Sequence, residues 1–261
     1  MNFYKEVNYS DIKEPKELLD ILNNYKVLVI KNYKNTEKVD DYLQNFVKSI
    51  GKIIGADEDL HTGNPTGNTL IEISYDPAEQ MKYRTSKNAQ PLHTDTSYTE
   101  FEDVPEFEEN IKFLICLKKA PMGGATTFID SKKLVSLMEY DERADLIDKL
   151  LTIPVGHKKG NREKITEILK EDNGDWKLSW NYPPAKRYPN TNEASELVDE
   201  FKQFLNDRIE NSGMLDSIIL EDNDVVFWRD SYLLHGRNSY FASEKGDRTL
   251  LKGSLILNKY E

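Results

Sequence analysis

Pro91-Leu92-His93-Thr94-Asp95-Thr96-Ser97-Tyr98 places an imidazole and a carboxylate two positions apart in a chain with only four histidines. In a β-strand, residues i and i+2 project from the same face. His93 and Asp95 would then point together and could chelate one ion. Alone, the pair is equally readable as a hydrogen-bonded strand end, because H-x-D recurs by chance in chains of this size.

The far end of the chain changes that balance. The run Asp224-Val-Val-Phe-Trp-Arg-Asp-Ser-Tyr-Leu-Leu-His235-Gly-Arg sets a second histidine just beyond an apolar strand. Two histidines and one carboxylate make the facial set of non-haem iron sites, with three coordination positions left open. Thirteen residues later, Arg248 opens the run RTLLKGSLIL. A guanidinium at the start of a core strand needs an anion, and its planar fork fits a carboxylate.

Taken in order, H-x-D, G-G-x-T, W-x-x-x-x-x-x-H-G-R and a C-terminal arginine resemble the Fe(II)/2-oxoglutarate-dependent oxygenases of the taurine dioxygenase and clavaminate synthase-like superfamily. The resemblance spans about Lys26 to Leu257. It implies a mainly β fold with flanking helices around a double-stranded β-helix, a jelly-roll or cupin-like core. By position, it implies that His93, Asp95 and His235 are the iron ligands. Arg248, and Thr126 in Gly123-Gly124-Ala125-Thr126, would hold the distal carboxylate of 2-oxoglutarate. The cofactors implied are Fe(II), 2-oxoglutarate and O2. The activity implied is C–H oxidation with release of succinate and CO2, hydroxylation being the default and desaturation or oxidative cyclisation the alternatives. Related halogenases carry Gly or Ala in place of the carboxylate, so Asp95 speaks against halogenation. Two departures from the common pattern stand out: Leu92 replaces a Trp before the first histidine, and Arg229-Asp230 replaces Asp-Asn after the tryptophan.

Candidate substrate contacts are less sharply drawn. Lys252 lies four residues past Arg248, on the same strand face, where it could bind a substrate carboxylate or simply reach solvent. His61, in Asp-Leu-His-Thr-Gly-Asn, precedes H-x-D at a spacing that the resemblance associates with substrate contact; an ordinary loop histidine is the other reading. Tyr98 adjoins the motif. Residues 176–188, dense in aromatics and carrying Lys186 and Arg187, read as a loop that could close over the mouth or equally as surface aromatics packing on the barrel's helices. Acidic Glu100, Glu102 and Asp103 could meet a substrate amine or form a solvated run. His157 has no motif around it and reads as structural. These hints favour a small polar metabolite, an amino acid or a derivative of one, as substrate.

Composition bounds the rest. The chain has 261 residues and a net charge of −11, which argues against a nucleic-acid surface and against docking on anionic membranes. Cys116 is the only cysteine, so neither an internal disulfide nor a CxxC site is possible. It sits in the apolar run Ile111-Lys112-Phe113-Leu114-Ile115-Cys116-Leu117 and reads as buried and inert. The N-terminal residues lack the apolar region of a secretory signal, and no run approaches the roughly 18 apolar residues of a membrane span, so a cytoplasmic enzyme is expected. With no repeat or linker in view, residues 1–261 are expected to form one domain, of oligomeric state not legible here. A hydrolytic zinc site would leave Arg248 and Thr126 without a role, and a non-catalytic jelly-roll binding protein would not need an intact ligand set.

The pattern also predicts local structure. A helix is expected from Pro15, with strands over 26–31 and 70–75, a helix over 39–50 capped by Gly51, and a mobile polar stretch over 76–90. Strands are expected over 111–117 and 126–129, followed by a helix over 134–151 broken near Asp141. An amphipathic helix should follow over 193–211, burying Leu197, Phe201, Phe204, Leu205 and Ile209. Strands at 218–220, 224–228 and 248–257 complete the prediction.

Overall fold

A computed structural model of the chain describes residues 1–33, 50–54, 58–95, 97–98 and 110–257. Two β-sheets carry the fold. The larger runs Asn2–Asn8, Tyr25–Lys31, Val225–Arg229, Asn110–Lys118, Thr249–Leu257 and Gly51–Ile54, with Ile71–Ser74 pairing the first half of Thr249–Leu257. Its first two strands are parallel and the other pairs antiparallel. The smaller sheet is antiparallel, in the order Asp216–Ile218, Thr126–Asp130, Leu233–Arg237 and Gln90–His93.

Strand alternation sorts the core into layers. In Tyr25–Lys31, Val27 and Val29 face the smaller sheet with Leu114, Val226, Trp228, Phe128 and Leu233. Leu28 and Ile30 face the other way, against Leu18, Leu19 and Leu22 of the helix Pro15–Asn24. A strand buried on both faces reads as an unbroken apolar run, which is why this one was legible. The outer face of the smaller sheet, through Leu92, Ile129 and Leu234, packs on the helices Ser131–Tyr140, Ala144–Thr152, Tyr182–Arg187 and Asn192–Phe204. The result is the mainly β jelly-roll core with helical buttresses that the resemblance implies.

The break expected near Asp141 is present: two helices meet at a turn where Glu142 adopts φ 57. The helix Asn192–Phe204 continues through a wider π-type turn, Leu205–Glu210, and the five apolar residues named for it are all buried. Three expectations need comment. The helix over 39–50 lies outside the described residues apart from Ile50, and Gly51 opens a strand. Within the stretch 76–90, the buried Arg237 donates to the carbonyls of Tyr83, Ser86 and Asn88 at 3.1, 3.0 and 2.6 Å. Residues 176–188 are not a loop but the end of the strand Asp175–Leu178 and the helix Tyr182–Arg187. Prolines at 183 and 184 sit in its first turn, where a missing N–H costs nothing. Trp180, ahead of that helix, is fully buried edge-on to Phe201, with ring centroids 4.8 Å apart.

One buried ion cluster ties the layers together. Lys26 reaches through the core to Asp130 and Asp175, both at 2.7 Å, while Asp130 also caps the helix Ser131–Tyr140 through the Lys132 N–H. Removing the cation leaves two enclosed carboxylates facing each other. Lys26→Met is expected to cost about 3–5 kcal/mol and to lower the thermal midpoint by on the order of 10 °C, measured by calorimetry.

Candidate iron and 2-oxoglutarate site

His93 and His235 are directly opposite each other in the antiparallel pairing of Gln90–His93 with Leu233–Arg237. Opposed residues share a face, and here that face looks into the cleft between the sheets. Their rings lie 4.2 Å apart. Asp95, just past the strand end, brings Oδ1 to 3.6 Å from His93 Nε2 and Oδ2 to 3.5 Å from His235 Nε2. All three ligand atoms fall within 4.8 Å of one another.

An oxygen of the chain lies behind each imidazole, hydrogen-bonded in the case of His93. His93 Nδ1 lies 2.9 Å from the Pro91 carbonyl, which can only accept. That fixes the proton on Nδ1 and leaves the Nε2 lone pair, to which Gln90 donates at 3.1 Å. His235 Nδ1 faces the carboxylate of Asp230 at 3.5 Å. Burial, and then His93, push the His235 imidazole well below its usual range, so it stays neutral as a metal ligand must. Burial raises the Asp95 carboxyl, but opposing charge, the Lys252 ammonium foremost, holds it well below its usual range. Two Nε2 atoms aimed into the cleft beside a carboxylate are the donor set that iron(II) takes.

Local sequence explains the precision. Thr94, between the two ligands, points away from the cleft. Its hydroxyl and N–H engage the Trp180 backbone: Thr94 N–H to Trp180 O at 2.6 Å, and Trp180 N–H to Thr94 Oγ1 at 3.0 Å. Gly236 is required because a Cβ there would come within 2.7 Å of the Gln90 carbonyl, beside the register shift that separates His235 from Arg237.

Asp230 was only a departure from the family pattern in the sequence, and the structure gives it a position. It is fully buried, accepts from the Asp95 N–H at 2.8 Å and from Trp228 Nε1 at 3.2 Å, and faces His235. One side chain thus braces two of the three candidate ligands. Leu92 packs in the apolar layer with Ile129 and Leu234.

A cavity of about 600 Å³ opens beside the triad, lined by His93, Asp95, His235, Thr126, Arg248 and Lys252 among others. Arg248 is 5% exposed and has no carboxylate within 4.0 Å among the described residues. Its protein contacts are the Gly124 carbonyl at 3.5 Å and the Tyr240 ring at 5.0 Å. Gly124, at φ +76, admits that approach; a Cβ there would sit 3.2 Å from Arg248 Nε. A buried guanidinium without an acid, beside the Thr126 hydroxyl, suits an incoming carboxylate.

The remaining candidates fall as follows. Lys252 is on the cavity wall, 2.5 Å from Asp95 Oδ2. His61 and Arg187 are exposed at the rim. Tyr98 lines the cavity, but its hydroxyl donates to Glu58 at 2.9 Å and accepts from Lys159 at 3.1 Å, with Arg162 also on Glu58. Thr96, Glu100, Glu102 and Asp103 lie outside the described residues. Cys116 is buried, and burial pushes its thiol up to about 12. Sequence reasoning passed over two cavity-side groups, the Glu58–Lys159–Arg162 cluster and Lys112. Only Lys112 left a readable signal, as a lysine in an otherwise apolar strand.

Residues 2–254 match the family model described as taurine catabolism dioxygenase TauD, TfdA family. The chain belongs to this family and is a non-haem iron, 2-oxoglutarate-dependent oxygenase by class. Among solved structures it resembles asparagine oxygenase in complex with Fe(II), 2S,3S-3-hydroxyasparagine and succinate, at TM-score 0.67 and 13% identity over 93% of this chain and 77% of that one. It also resembles PvcB of Pseudomonas aeruginosa, at TM-score 0.65 and 14% identity over 98% and 89%. The oxygenase OrfP, with Fe, succinate and (3R,4R)-dihydroxy-L-Arg, follows at TM-score 0.63 and 14% identity over 94% and 80%. At these identities the likeness is one of fold. No curated protein sequence matches the chain. No helix among the described residues is long and apolar enough to cross a membrane.

His157 is separate from this site. It is fully enclosed with neither ring nitrogen hydrogen-bonded, and burial pushes it down to about 4. The unfolded chain protonates near pH 6.5, so the neutral folded form is favoured above that pH and loses stability as pH falls towards 4. The loss amounts to about 3 kcal/mol over that window. Chemical denaturation between pH 7 and pH 4 should show it, and His157→Phe should flatten that part of the profile.

Proposed function

We propose that this oxygenase hydroxylates a C–H bond of a small carboxylate-bearing metabolite, an amino acid or a derivative of one. In this reading His93, Asp95 and His235 hold Fe(II), and Arg248 with Thr126 receives the distal carboxylate of 2-oxoglutarate. Lys252 takes a carboxylate of the substrate, and one domain spans the chain. The observation that carries it is the convergence of two Nε2 atoms and one carboxylate at the wall of a cavity that also holds a buried arginine with no acid against it among the described residues. Structures of similar fold contain 3-hydroxyasparagine and (3S)-hydroxy-L-Arg, which supports the amino-acid class.

When bound, iron with 2-oxoglutarate supplies the oxidant for C–H cleavage, with succinate and CO2 as by-products. The chain's own residues do the positioning. The Pro91 carbonyl fixes the His93 ring from behind, and the Asp230 carboxylate lies behind that of His235. Arg248 and Thr126 would orient the cosubstrate by its far end. Trp228, Tyr182 and Pro183 line the cavity and displace water from it. Tyr98, locked by Glu58 and Lys159, forms a fixed wall beside the candidate ligands.

Anaerobic Fe(II) with 2-oxoglutarate should give the weak visible charge-transfer band of the chelate, and chelator treatment should abolish it. His235→Ala should lose the band and succinate formation together. Arg248→Met should keep iron but raise the KM for 2-oxoglutarate by roughly tenfold or more, as expected for loss of a charge-assisted pair. If the wild-type enzyme shows no band and no succinate with O2, this reading is wrong.

A further inference from the structure

The cavity floor holds a cation that the scheme above leaves unused. Lys112 lies in the strand Asn110–Lys118, flanked in register by Trp228 on one side and Ser254 on the other. It is 6% exposed and lines the cavity. Its ammonium has three donors, and the Ser254 hydroxyl takes one at 2.6 Å. No carboxylate of the described residues lies within 4.0 Å of it; Asp230 and Asp95 act on it from further off. The same protein shows what a purely structural buried lysine looks like: Lys26 has two carboxylates at 2.7 Å. Lys112 has none, and an enclosed ammonium without an acid is costly unless an anion arrives.

Lys252 shares this floor. It pairs in register with Leu114, one pleat along from the Lys112–Ser254 pair, so both ammonium groups and the serine hydroxyl face the same space. Lys252 here neutralises Asp95; a divalent ion on Asp95 draws on the same carboxylate and leaves Lys252 with charge to share.

We propose that Lys112, with the Ser254 hydroxyl and Lys252, forms a subsite on the cavity floor for an anionic group of the substrate, a carboxylate or a phosphate-type oxyanion. The assignment of that anion to the substrate rests on the oxygenase reading above. It makes Lys112 a specificity-determining residue, and it predicts rejection of substrates whose inner end is cationic.

The test uses enzyme loaded anaerobically with Fe(II) and 2-oxoglutarate, titrated calorimetrically with acetate, L-glutamate, methylphosphonate and, as a cationic control, 1,4-diaminobutane. At least one anion should bind the wild type and the diamine should not. Whether the carboxylates or the phosphonate bind more tightly names the group. Lys112→Met should weaken that anion by about tenfold or more while keeping the Fe(II)–2-oxoglutarate band, and Ser254→Ala should weaken it several-fold. Without anion, Lys112→Met should melt no lower than wild type, because it removes an unpaired buried charge. Equal anion affinity in Lys112→Met and wild type overturns the proposal, as does no anion binding to wild type. So does a destabilised Lys112→Met protein together with unaltered binding by Ser254→Ala. Absence of the band in wild type instead counts against the oxygenase reading, and the titration is then judged on the metal-free protein, where the Lys112→Met loss is still required.

Discussion

The candidate site depends on one pairing: His93 against His235 across two antiparallel strands of the smaller sheet. Strand geometry puts opposed side chains on one face about 5 Å apart at Cβ, a separation from which two imidazoles reach a common point. Residues 93 and 235 are far apart in the chain, so this juxtaposition exists only once the sheet has formed. A slip of one residue in register would turn His235 into the apolar layer and Leu234 into the cleft. Leu92, Ile129 and Leu234, buried against the helices, therefore set the register that orients the histidines. The packing of the buttress and the chemistry of the cleft are two faces of the same strands.

Around that pairing the protein spends its buried polar groups on orientation. Asp230 touches Asp95 through its N–H and faces His235 through its ring, so the first and last motifs are braced by one carboxylate. Thr94 turns its back on the cleft and fastens the motif to Trp180, whose ring is in turn fixed by Phe201. Arg237 draws three carbonyls of the 83–88 segment over the cavity. Arg237 and Arg248 also lie over the same Tyr240 ring, at 5.1 and 5.0 Å. Two guanidiniums sharing one aromatic ring, with no carboxylate within 4.0 Å among the described residues, is a costly arrangement, and an anion reaching Arg248 would relieve it.

The layers were readable in the sequence because apolar period decides them: the two-sided strand at Val27–Ile30, the helical face from Leu197 to Ile209, and the break near Asp141 all follow from spacing. The candidate ligand set could be proposed from sequence because H-x-D, H-G-R and a strand-opening arginine keep their spacing wherever the intervening loops go. What spacing could not show is contact between side chains remote in sequence. Asp230 stands between Arg229 and Ser231, and nothing local says that its partners are Asp95 and His235. Glu58, Lys159 and Arg162 meet only because a loop and a hairpin turn dock on each other. In residues 176–188 the dense aromatics suit either a loop or packing on the helices. The structure shows the packing, with Trp180 buried and Pro183 and Pro184 tolerated in the first turn of a helix.

The electrostatics complete the picture. The chain carries a net charge of −11, yet more lysines and arginines than acids line its cavity. The acids that do line it have other duties: Asp95 is a candidate metal ligand, Glu58 is held by Lys159 and Arg162, and Asp59 caps its own loop through Thr62 and His61. Among the described residues, none is left to receive an ammonium. A cationic cleft in an acidic protein focuses anions inward while the outer surface repels them. Iron(II) and 2-oxoglutarate are together neutral, so loading them leaves that excess of positive charge in place. On the function proposed above, the field within the cleft, no less than Lys112 or Lys252 singly, would favour a substrate that enters acid end first.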